Sequence, residues 1–328
     1  MLSGEGPSVA LSHLNGGMMG RYVARRLLQM IPVFFGTTLL IFAMVHLLPG
    51  DPVLAMFGDK GADPATLAAK RHELGLDKPE WQQYLFYMRD MILHLDFGTQ
   101  IRNGRPVTEV LGDAFPITLQ LAVLAFAIEL VFGIGLGIIG GLRAGRLADN
   151  LILIFTLLII SIPVFVLGYI IKMVFAFNLG WIAPNVSTEP VLSEMLAPAI
   201  VLGGLSLAYV ARLTRTSMAE NLRADYMRTA VAKGLPRRRV IGVHLMRNSM
   251  IPVVTFLGTD IGALMGGAVV TEFIFNIHGV GGVIAESISR REGSTLVGLV
   301  TILVIVYLVT SLLIDLLYAV LDPRIRYA

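Results

Sequence analysis

The sequence predicts an all-α membrane protein with six transmembrane helices, and three observations lead to this fold class. Hydrophobic residues make up 55% of the 328 residues and charged residues only 15%, and the mean hydropathy is +0.74. Several stretches of about twenty residues carry few charges, which is the length a helix needs to cross about 30 Å of hydrocarbon. The alternating segments of about ten residues that a membrane β-barrel requires are absent from the sequence.

The first predicted span covers residues 27–48. It follows residues 1–20, which are rich in Gly and Ser and are predicted to be a disordered cytoplasmic tail. Arg21, Arg25 and Arg26 precede the span, as they would a signal peptide. The apolar run is too long for the core of such a peptide and no small-residue cleavage site follows it, so the sequence indicates an uncleaved span.

Residues 51–115 are predicted to form a helical insert outside the membrane. Asp63 and Asp77 are typical of helix N-termini, and Gly75 predicts the end of the first insert helix. An apolar face at helical spacing follows, formed by Trp81, Tyr84, Leu85, Met88, Ile92 and Leu95. Packing of this face on the protein itself is favoured, and direct contact with a partner is the alternative.

Five more spans complete the transmembrane domain, which is predicted to occupy residues 21–328. Sixteen Lys and Arg residues fall in segments predicted to be cytoplasmic and nine in segments predicted to be outside, seven of these nine in the insert. This bias predicts that both termini and the polar stretch 217–249 are cytoplasmic. The predicted spans are 117–142, 151–177, 196–213, 250–270 and 296–318.

Two rows of small residues predict close helix packing, because glycines four residues apart let helix backbones approach. One row lies in the second span and one in the fifth, and chance is the alternative for each, since Gly is frequent in membrane helices. The rows are Gly133, Gly137 and Gly141, then Gly258, Gly262 and Gly266. Prolines at 32, 163, 198 and 252 are expected to kink or reposition their spans.

The sequence carries no recognisable catalytic or metal-binding constellation. It has no cysteine, no phosphate-binding loop and no metalloprotease or serine-hydrolase motif, and its six histidines lack ligand spacing. We therefore predict no metal site, no cofactor on this chain and no enzymatic activity of its own. Nucleic acid is not an expected partner.

Ionisable side chains inside spans usually face a bundle interior or water. Asp260 lies midway along the fifth span, where a polar pathway and a structural hydrogen bond are equally favoured. Thr255, Thr259 and Glu272 are the other candidate pathway residues. Glu129 fits either role, and Lys172 is expected to reach the membrane surface.

The polar stretch predicts a helix from Asn221 to Val231, then a turn and a second helix. Tyr226 and Ala230 are predicted to share a face that Gly234 continues. Gly234 and Pro236 end the first helix, and three arginines at 237–239 open the second. A small-residue face of this kind favours docking in a groove of a soluble protein. A basic loop lying on anionic lipid is the alternative.

This stretch resembles the EAA loop of permeases from ATP-binding cassette (ABC) importers, in the branch that takes up dipeptides, oligopeptides and nickel. The similarity extends over nearly the whole chain after about residue 20. The segments that carry it are YMRTAVAKGLPRRRVIGVHLMRNSMIP from Tyr226, LLPGDP from Leu47, LGLDKPEWQQY from Leu74, DFGTQIRNGRPV from Asp96, TEFIFNIHGVGG from Thr271 and LDPRIR from Leu321.

The resemblance implies partners rather than chemistry on this chain. A second homologous permease chain shares the pore, two ATP-binding subunits or domains hold ATP and Mg, and an extracytoplasmic substrate-binding protein delivers substrate. The coupling residues it implies are Asp225, Tyr226, Arg228, Thr229, Ala230, Lys233 and Gly234. The Glu-Ala-Ala triplet falls on Arg228, Thr229 and Ala230, and both Arg228 and Arg247 depart from the general pattern. Membrane lipid surrounds the spans of a multi-pass protein in the bacterial cell membrane.

The implied function is uptake of di- and oligopeptides by alternating access. Within this class, nickel, an oligosaccharide or another small solute is the alternative substrate. A self-sufficient secondary transporter is the alternative from another class, and it would require inverted repeats and mid-membrane ion sites.

Overall fold

The computed structural model describes residues 8–47, 53–54, 63–73, 75–100 and 103–321. The predicted end of the first span at 48–52, the first residues 1–7 and the last residues 322–328 lie outside the described residues. We number eleven helices in the described part: α1 (Ser8–His46), α2 (Pro64–Glu73), α3 (Glu80–His94), α4 (Val107–Leu142), α5 (Leu147–Ser161), α6 (Val164–Asn178), α7 (Leu192–Asn221), α8 (Asp225–Ala232), α9 (Arg237–Phe275), α10 (Val280–Arg290) and α11 (Gly293–Leu321).

The described chain is almost entirely helical, with one isolated antiparallel bridge between Thr99 and Pro106. Five helices are long and apolar enough to cross a membrane, and α5 and α6 together make a sixth candidate. The prediction of a helical membrane chain is confirmed, and the predicted number of six spans is reached when the bent pair is counted as one span. The five candidates are Val23–His46, Val107–Leu142, Leu192–Asn221, Arg237–Phe275 and Gly293–Leu312.

The third predicted span is a bent pair of helices, since α5 and α6 are bent by 103° at the break between them, and this confirms the kink predicted at Pro163. Ile162, between the two helices, has an extended backbone (φ −101°, ψ 124°), and Pro163 follows it. Proline lacks the N–H that would continue the helix, and it disfavours helical geometry in the residue before it.

Several helices extend beyond the apolar runs that predicted them. α4 begins at Val107, ten residues before the predicted span. α7 continues to Asn221, so the next helix begins at Asp225 instead of Asn221. α1 begins at Ser8, whereas the sequence predicts a disordered tail to residue 20. Hydropathy marks the lipid-spanning part of a helix, while backbone hydrogen bonding propagates from an existing helix into its flanks.

The two N-termini predicted in the insert have different outcomes. Asp63 caps α2, because its Oδ2 accepts a hydrogen bond from the Ala65 N–H at 3.3 Å. The cap predicted at Asp77 is wrong, since α3 begins after Pro79 with no side-chain cap. Asp77 instead lies 2.7 Å from Nδ1 of His72, and this hydrogen bond holds the pKa of the Asp77 carboxyl below its usual range.

The chain divides into two compact units, and the first comprises residues 1–110 with 286–328. In this unit α1 and α11 pack together, and Arg26 donates a hydrogen bond to Ser311 at 3.4 Å. α3 lies on α1, where the hydroxyls of Tyr84 and Thr38 are 3.0 Å apart. The polar atoms of His46 and Gln83 meet at 3.2 Å.

The second unit comprises residues 111–285 and contains the polar stretch. α7 is its central helix, and it contacts α4, α5, α6 and α9. The main apolar core of the unit contains Leu121, Met195, Leu202, Leu264 and Phe275. α7 is the most buried of the candidate spans, which places it where several neighbours can act on the loop that follows it.

Candidate functional site

The inner face of α8 is buried against the helices on either side of it in the sequence. Met227 and Ala230 of α8 join an apolar cluster with Met218 of α7 and with Val240 and Leu245 of α9. Met218 and Leu245 have no exposed surface. This cluster fixes α8 to both neighbouring helices, so a force on α8 acts on them directly.

Polar contacts reinforce this attachment at the end of α7. The Tyr226 hydroxyl donates a hydrogen bond to Oδ1 of Asn221 at 2.6 Å. The Asn221 amide in turn donates to the Ser217 carbonyl at 2.9 Å. The Ser249 hydroxyl of α9 donates to the same carbonyl at 3.4 Å. The end of α7 is thus hydrogen-bonded to the start of α8 through Tyr226 and to α9 through Ser249.

Gly234 ends α8 in the left-handed conformation, with φ +71°. The Leu235 N–H then donates to the Ala230 carbonyl at 3.4 Å, as in a glycine-terminated helix. Within the described part of the chain, no heavy atom beyond its immediate neighbours lies within 4 Å of the position where a Cβ would stand on Gly234. The requirement for glycine here is therefore conformational and not a matter of space.

The outer face of α8 is exposed, and Tyr226 at its start is its link to α7. Arg228 is 79% exposed and makes only a long ion pair of 3.6 Å with Asp225. Val231 is 64% exposed and is the apolar residue that protrudes from this face. We name as the outer α8 face the exposed residues Asp225, Tyr226, Arg228, Thr229, Val231 and Lys233.

The interpretation that Tyr226, Ala230 and Gly234 form one outward face is wrong for Ala230. Ala230 is only 5% exposed and belongs to the buried cluster. The sequence analysis also missed Val231. The sequence did contain a sign of its role. An apolar residue among charged and small residues on a short helix fits neither a lipid-facing pattern nor a core pattern, and an exposed apolar residue can mark a binding surface.

The first glycine row lies against α7. A Cβ on Gly133 would stand 2.9 Å from Cγ1 of Val210, and one on Gly141 would stand 2.7 Å from Cβ of Met218. A Cβ on Gly137 would collide with Thr214. These distances are shorter than van der Waals contact, so α4 and α7 approach as closely as they do because all three residues lack a side chain.

The second row has no such contact at Gly266. No heavy atom of the described chain lies within 4 Å of the position of a Cβ on this residue. Gly266 therefore makes no close packing contact within the described chain, and the helix packing predicted there stays a prediction. Gly258 and Gly262 are half-buried.

The candidate pathway residues on α9 separate into exposed and buried ones. Thr255 and Thr259 are exposed, and each hydroxyl donates to a carbonyl of its own helix, at 3.0 and 2.8 Å. Asp260 is 8% exposed, and its neighbour across the interior is Glu129 of α4, which has no exposed surface. The sequence analysis named both carboxyls but did not place them together, because they are 131 positions apart.

Glu272 is a structural residue in this fold and does not line an open path. It has no exposed surface, and its Oε1 accepts a hydrogen bond from the Thr118 hydroxyl at 2.7 Å. Its Oε2 accepts from the Gly282 N–H at 2.9 Å, and the Val280 N–H donates to the Thr118 hydroxyl at 2.8 Å. The carboxylate therefore lies at the N-terminus of α10, where free N–H groups favour negative charge.

Two further polar contacts were not predicted. Arg215 of α7 holds the buried carboxylate of Asp149 through two hydrogen bonds of 2.9 and 2.7 Å. The Gly145 N–H donates to the same carboxylate at 2.8 Å. Lys172, expected at the membrane surface, donates to the Ile274 carbonyl at 2.6 Å instead. A single sequence does not show which of several distant charges will meet.

A pocket of about 950 Å³ lies within the first unit, between α2, α3 and the ends of α1 and α11. Its lining carries both signs of charge, including Arg71, Lys78, Glu80 and Asp90. The predicted apolar face of α3 is split, because Met88 packs inward whereas Trp81 and Leu85 are exposed. Among the described residues, no group of three or more His, Asp and Glu side chains is arranged to hold a metal ion.

Comparison with known proteins is consistent with a protein that has several membrane-spanning helices. Residues 133–327 match the family model of the binding-protein-dependent transport system inner membrane component, and residues 19–122 match the N-terminal model of such components. The dipeptide transport system permease protein DppB of Escherichia coli K12 is 38% identical over 94% of this chain and 99% of its own length.

Two other relatives have similar coverage. The di/tripeptide transport system permease protein DppB of Pseudomonas aeruginosa is 38% identical over 93% of this chain and 98% of its own. The glutathione transport system permease protein GsiC of Salmonella typhimurium is 37% identical over 94% of this chain and 100% of its own.

A solved structure shares the fold. The crystal structure of an amino acid ABC transporter with histidines aligns with a TM-score of 0.51 and 15% identity, covering 64% of this chain and 93% of that chain. The family models, the relatives and the shared fold agree with the membrane-spanning architecture described above. The chain belongs to the family of inner membrane components of binding-protein-dependent transport systems, the permeases of ABC importers.

Proposed function

We propose that this chain is one of two permease subunits of an ATP-driven importer of di- and oligopeptides. The observation that carries the proposal is the two-faced α8, whose inner face is buried on α7 and α9 while its outer face is exposed. An exposed helix that is rigidly tied to two spans is suited to receive a force from a soluble partner and pass it into the membrane.

The outer α8 face docks in a groove on an ATP-binding subunit. Val231 supplies an apolar anchor at its centre, while Arg228, Lys233 and the exposed arginines at 237–239 supply positive charge around it. An apolar centre with a polar rim is the usual anatomy of a protein interface. Ala230 and Met227 act indirectly in this proposal, because they hold α8 in position. Two such subunits or domains bind ATP and Mg, one for each permease chain.

Motion of α8 reaches the interior through α9 and α7. α9 runs without a break in its helical backbone from Arg237 to Phe275, with a π-helical turn at Val240–Leu245. The cluster around Met218 ties α8 to α7, which in turn lies on the glycine row of α4. Closure of the ATP-binding subunits therefore displaces packed helices and alternates access between the two sides.

The second permease chain faces the uncovered side of α9. Thr255, Thr259 and Gly266 are exposed in this chain. The glycine row that includes Gly258 and Gly262 gives a second helix a surface for close approach. We place the translocation pathway beside this surface, with the two threonine hydroxyls facing it.

The peptide substrate is inferred from the relatives. The printed names of two of them state dipeptide or di/tripeptide transport, and a third states glutathione transport. An extracytoplasmic binding protein delivers the substrate to the outer side, where the insert with its charged pocket lies in our proposed orientation. Both termini and α8 lie on the cytoplasmic side of the bacterial cell membrane.

Substitution of Val231 tests the docking role. In the assembled transporter, Val231→Asp places a charge in the proposed apolar anchor, so we expect at least a tenfold loss of peptide uptake and loss of copurifying ATP-binding subunit. The control is Val191→Asp, since Val191 is also exposed but lies at the opposite end of α7. Normal copurification of the Val231 variant would contradict docking on this face.

Gly234 provides a second test with a matched control. Gly234 and Gly242 both have free space around a Cβ, but only Gly234 has a positive φ. We expect Gly234→Val to uncouple ATP hydrolysis from uptake, because it alters the end of α8, and Gly242→Val to be tolerated. Equal transport by both variants would contradict a role for the geometry of this turn.

The substrate class is tested with the cognate binding protein. We expect that protein to retain dipeptides and short oligopeptides, and vesicles with the complete transporter to accumulate them in the presence of ATP. Retention of nickel or an oligosaccharide, with no retention of peptide, would contradict the peptide assignment while leaving the permease assignment intact.

A further inference from the structure

Two acidic side chains meet inside the second unit, and the coupling mechanism above does not use them. Glu129 is completely buried in α4, and Asp260 is 92% buried in α9, as its 8% exposure shows. Residues one helical turn from each acid lie in shared apolar clusters, Ala125 with Leu264 and Phe126 with Leu257, so the two acids lie on the facing sides of α4 and α9. Glu129 is the first residue of the π-helical turn Glu129–Gly133, a local widening of the helix that is frequent at functional sites.

The oxygens of this pair lack donors. Neither Oε1 nor Oε2 of Glu129, nor Oδ2 of Asp260, has a hydrogen-bond partner among the described residues. An ionised carboxylate has only acceptor atoms, so two of them cannot form a hydrogen bond with each other. Addition of one proton converts one carboxyl into a donor, and the contact between the pair then becomes a hydrogen bond.

Two cationic side chains and one further acid on the described helices of this unit are bound to other groups. Arg215 of α7 is bound to Asp149, and Lys172 of α6 is bound to the Ile274 carbonyl. Glu272 of α9 is bound to Thr118. The α7 segment Gly203–Val210, which packs on this part of α4, contributes only half-exposed Tyr209 as a titratable group.

Physical chemistry excludes two bare charges in this place. Two like charges side by side in a low dielectric repel strongly, and each ionised carboxylate without donors carries a large desolvation cost. Two neighbouring carboxyls avoid this repulsion and desolvation cost by holding one proton between them. The alternative solution is a bound cation, either a monovalent metal ion or the ammonium group of a substrate.

We propose that Glu129 and Asp260 form a proton-binding site, in which the two carboxyls share one proton. The proton is favoured over a larger cation because the pair is sealed from solvent and a sodium ion needs several oxygen ligands. Asp260 lies on α9, which begins within the polar stretch 217–249, so movement of α9 changes its distance from Glu129. Separation of the pair exposes the carboxyls to water and releases the proton.

Infrared spectroscopy of the full chain in lipid nanodiscs tests the site without reference to transport. A protonated carboxyl has a carbonyl stretch that is separate from carboxylate bands and shifts in D₂O. At pH 8 we expect the wild type to show this band, and Glu129→Gln and Asp260→Asn each to lose intensity equal to about one acid per chain. Glu189→Gln, at an exposed position, is the control and should lose carboxylate intensity only.

Two results would overturn the proposal. Loss of carboxylate intensity alone in both variants would show that the pair is ionised. Spectral change on addition of sodium or potassium that both variants abolish would assign a metal cation in place of the proton. If the amide variants do not accumulate, Glu129→Asp is the fallback variant, because it retains an acid at the site. Its acid band should then shift instead of disappearing. An unchanged acid band in this variant would also contradict the proposal. Failure of peptide uptake leaves these spectra unaffected, so this test is separate from that of the proposed function.

Discussion

Glu272 and Glu129 show how surroundings decide the role of a buried acid. Both are glutamates with no exposed surface in membrane-crossing helices. Glu272 is surrounded by donors from Thr118 and the Gly282 backbone, whereas both oxygens of Glu129 lack a hydrogen-bond partner among the described residues. Glu272 therefore stabilises the turn before α10, whereas Glu129 has oxygens available to bind the proposed proton.

The Glu272 contact gives a prediction for Gly279. A Cβ on Gly279 would stand 2.5 Å from both oxygens of Glu272 and from the Thr118 hydroxyl. We expect Gly279→Ala to break this network and lower stability by about 1–3 kcal/mol, because a buried acceptor loses its donors. Thermal unfolding of the purified chain in detergent measures the effect.

Gly266→Ala is the control, since it adds the same methyl group where no atom lies within 4 Å. We expect its melting temperature to match the wild type. A melting temperature for Gly279→Ala equal to that of this control would show that the contact carries no stability.

Tyr87 gives a prediction of pH dependence in the insert. Its hydroxyl is buried without a hydrogen-bond partner among the described residues, and burial raises the pKa of Tyr87 to about 12, against a usual value of about 10. The folded state thus binds this proton more tightly than the unfolded state. The associated stability is complete below about pH 10 and is lost as pH rises towards about 12.

We therefore expect Tyr87→Phe to lose stability less steeply than the wild type above about pH 10. Melting temperatures measured from neutral to alkaline pH test this, with Tyr169→Phe as a control at an exposed tyrosine. Parallel pH profiles for the wild type and Tyr87→Phe would contradict burial of the phenol.

At the scale of elements, α7 derives its central place from small residues on both sides of its contacts. Gly133, Gly137 and Gly141 of α4 lie on it, and its own Gly203 lies on α4, where a Cβ would stand 2.8 Å from the Ala125 carbonyl. Complementary small residues bring the two backbones into contact along their length. Since van der Waals packing is a main source of helix association in lipid, this contact is expected to be a rigid one.

Gly137 and Gly135 allow a matched test of that contact. Both are in α4, but a Cβ on Gly137 would collide with Thr214 whereas one on Gly135 would meet nothing within 4 Å. We expect Gly137→Val to cost about 1–3 kcal/mol through overpacking and to reduce the folded yield, and Gly135→Val to be tolerated. Yield and melting temperature of the two variants, measured side by side, check this.

The same pair of variants can contradict the packing argument. Equal yields would mean that α4 and α7 separate without cost, and the row would then be an accident of glycine frequency. A loss in both variants would also contradict the packing argument, because replacing Gly by Val raises intrinsic helix propensity at both positions and gives no local reason for a loss.

At the scale of the whole molecule, the orientation in the membrane decides which partner meets which surface. The excess of Lys and Arg in the predicted inner segments predicts that α8 lies in the cytoplasm. Lys233 at the end of α8 and Glu189 before α7 are both exposed, and α7 separates them. The two positions therefore report opposite sides of the membrane.

The absence of cysteine makes this orientation directly measurable. In intact cells, we expect a membrane-impermeant maleimide to label Glu189→Cys and to leave Lys233→Cys unlabelled. After the cells are opened, both should react, which controls for the reactivity of each site. Labelling of Lys233→Cys from outside would contradict the orientation and with it the docking of ATP-binding subunits on α8.

The sequence determined the features that depend on local composition. Apolar runs of sufficient length predicted the helical membrane class, and the polar stretch after Asn221 predicted a helix, a turn and a second helix because Gly234 and Pro236 interrupt the pattern. The motifs also predicted the permease family, which the comparisons show. These properties depend on residues that are close together in the sequence, so a single sequence is enough to predict them.

Tertiary structure decided which distant residues meet and which face of each helix is covered. It turned Ala230 inward and left Val231 exposed, it surrounded Glu272 with donors, and it placed Glu129 beside Asp260. Each outcome depends on which helix covers a given face, or on how two helices pack whose residues are more than a hundred positions apart in the sequence. Hydrophobic periodicity does not encode this choice, because lipid and a neighbouring helix present equally apolar surroundings.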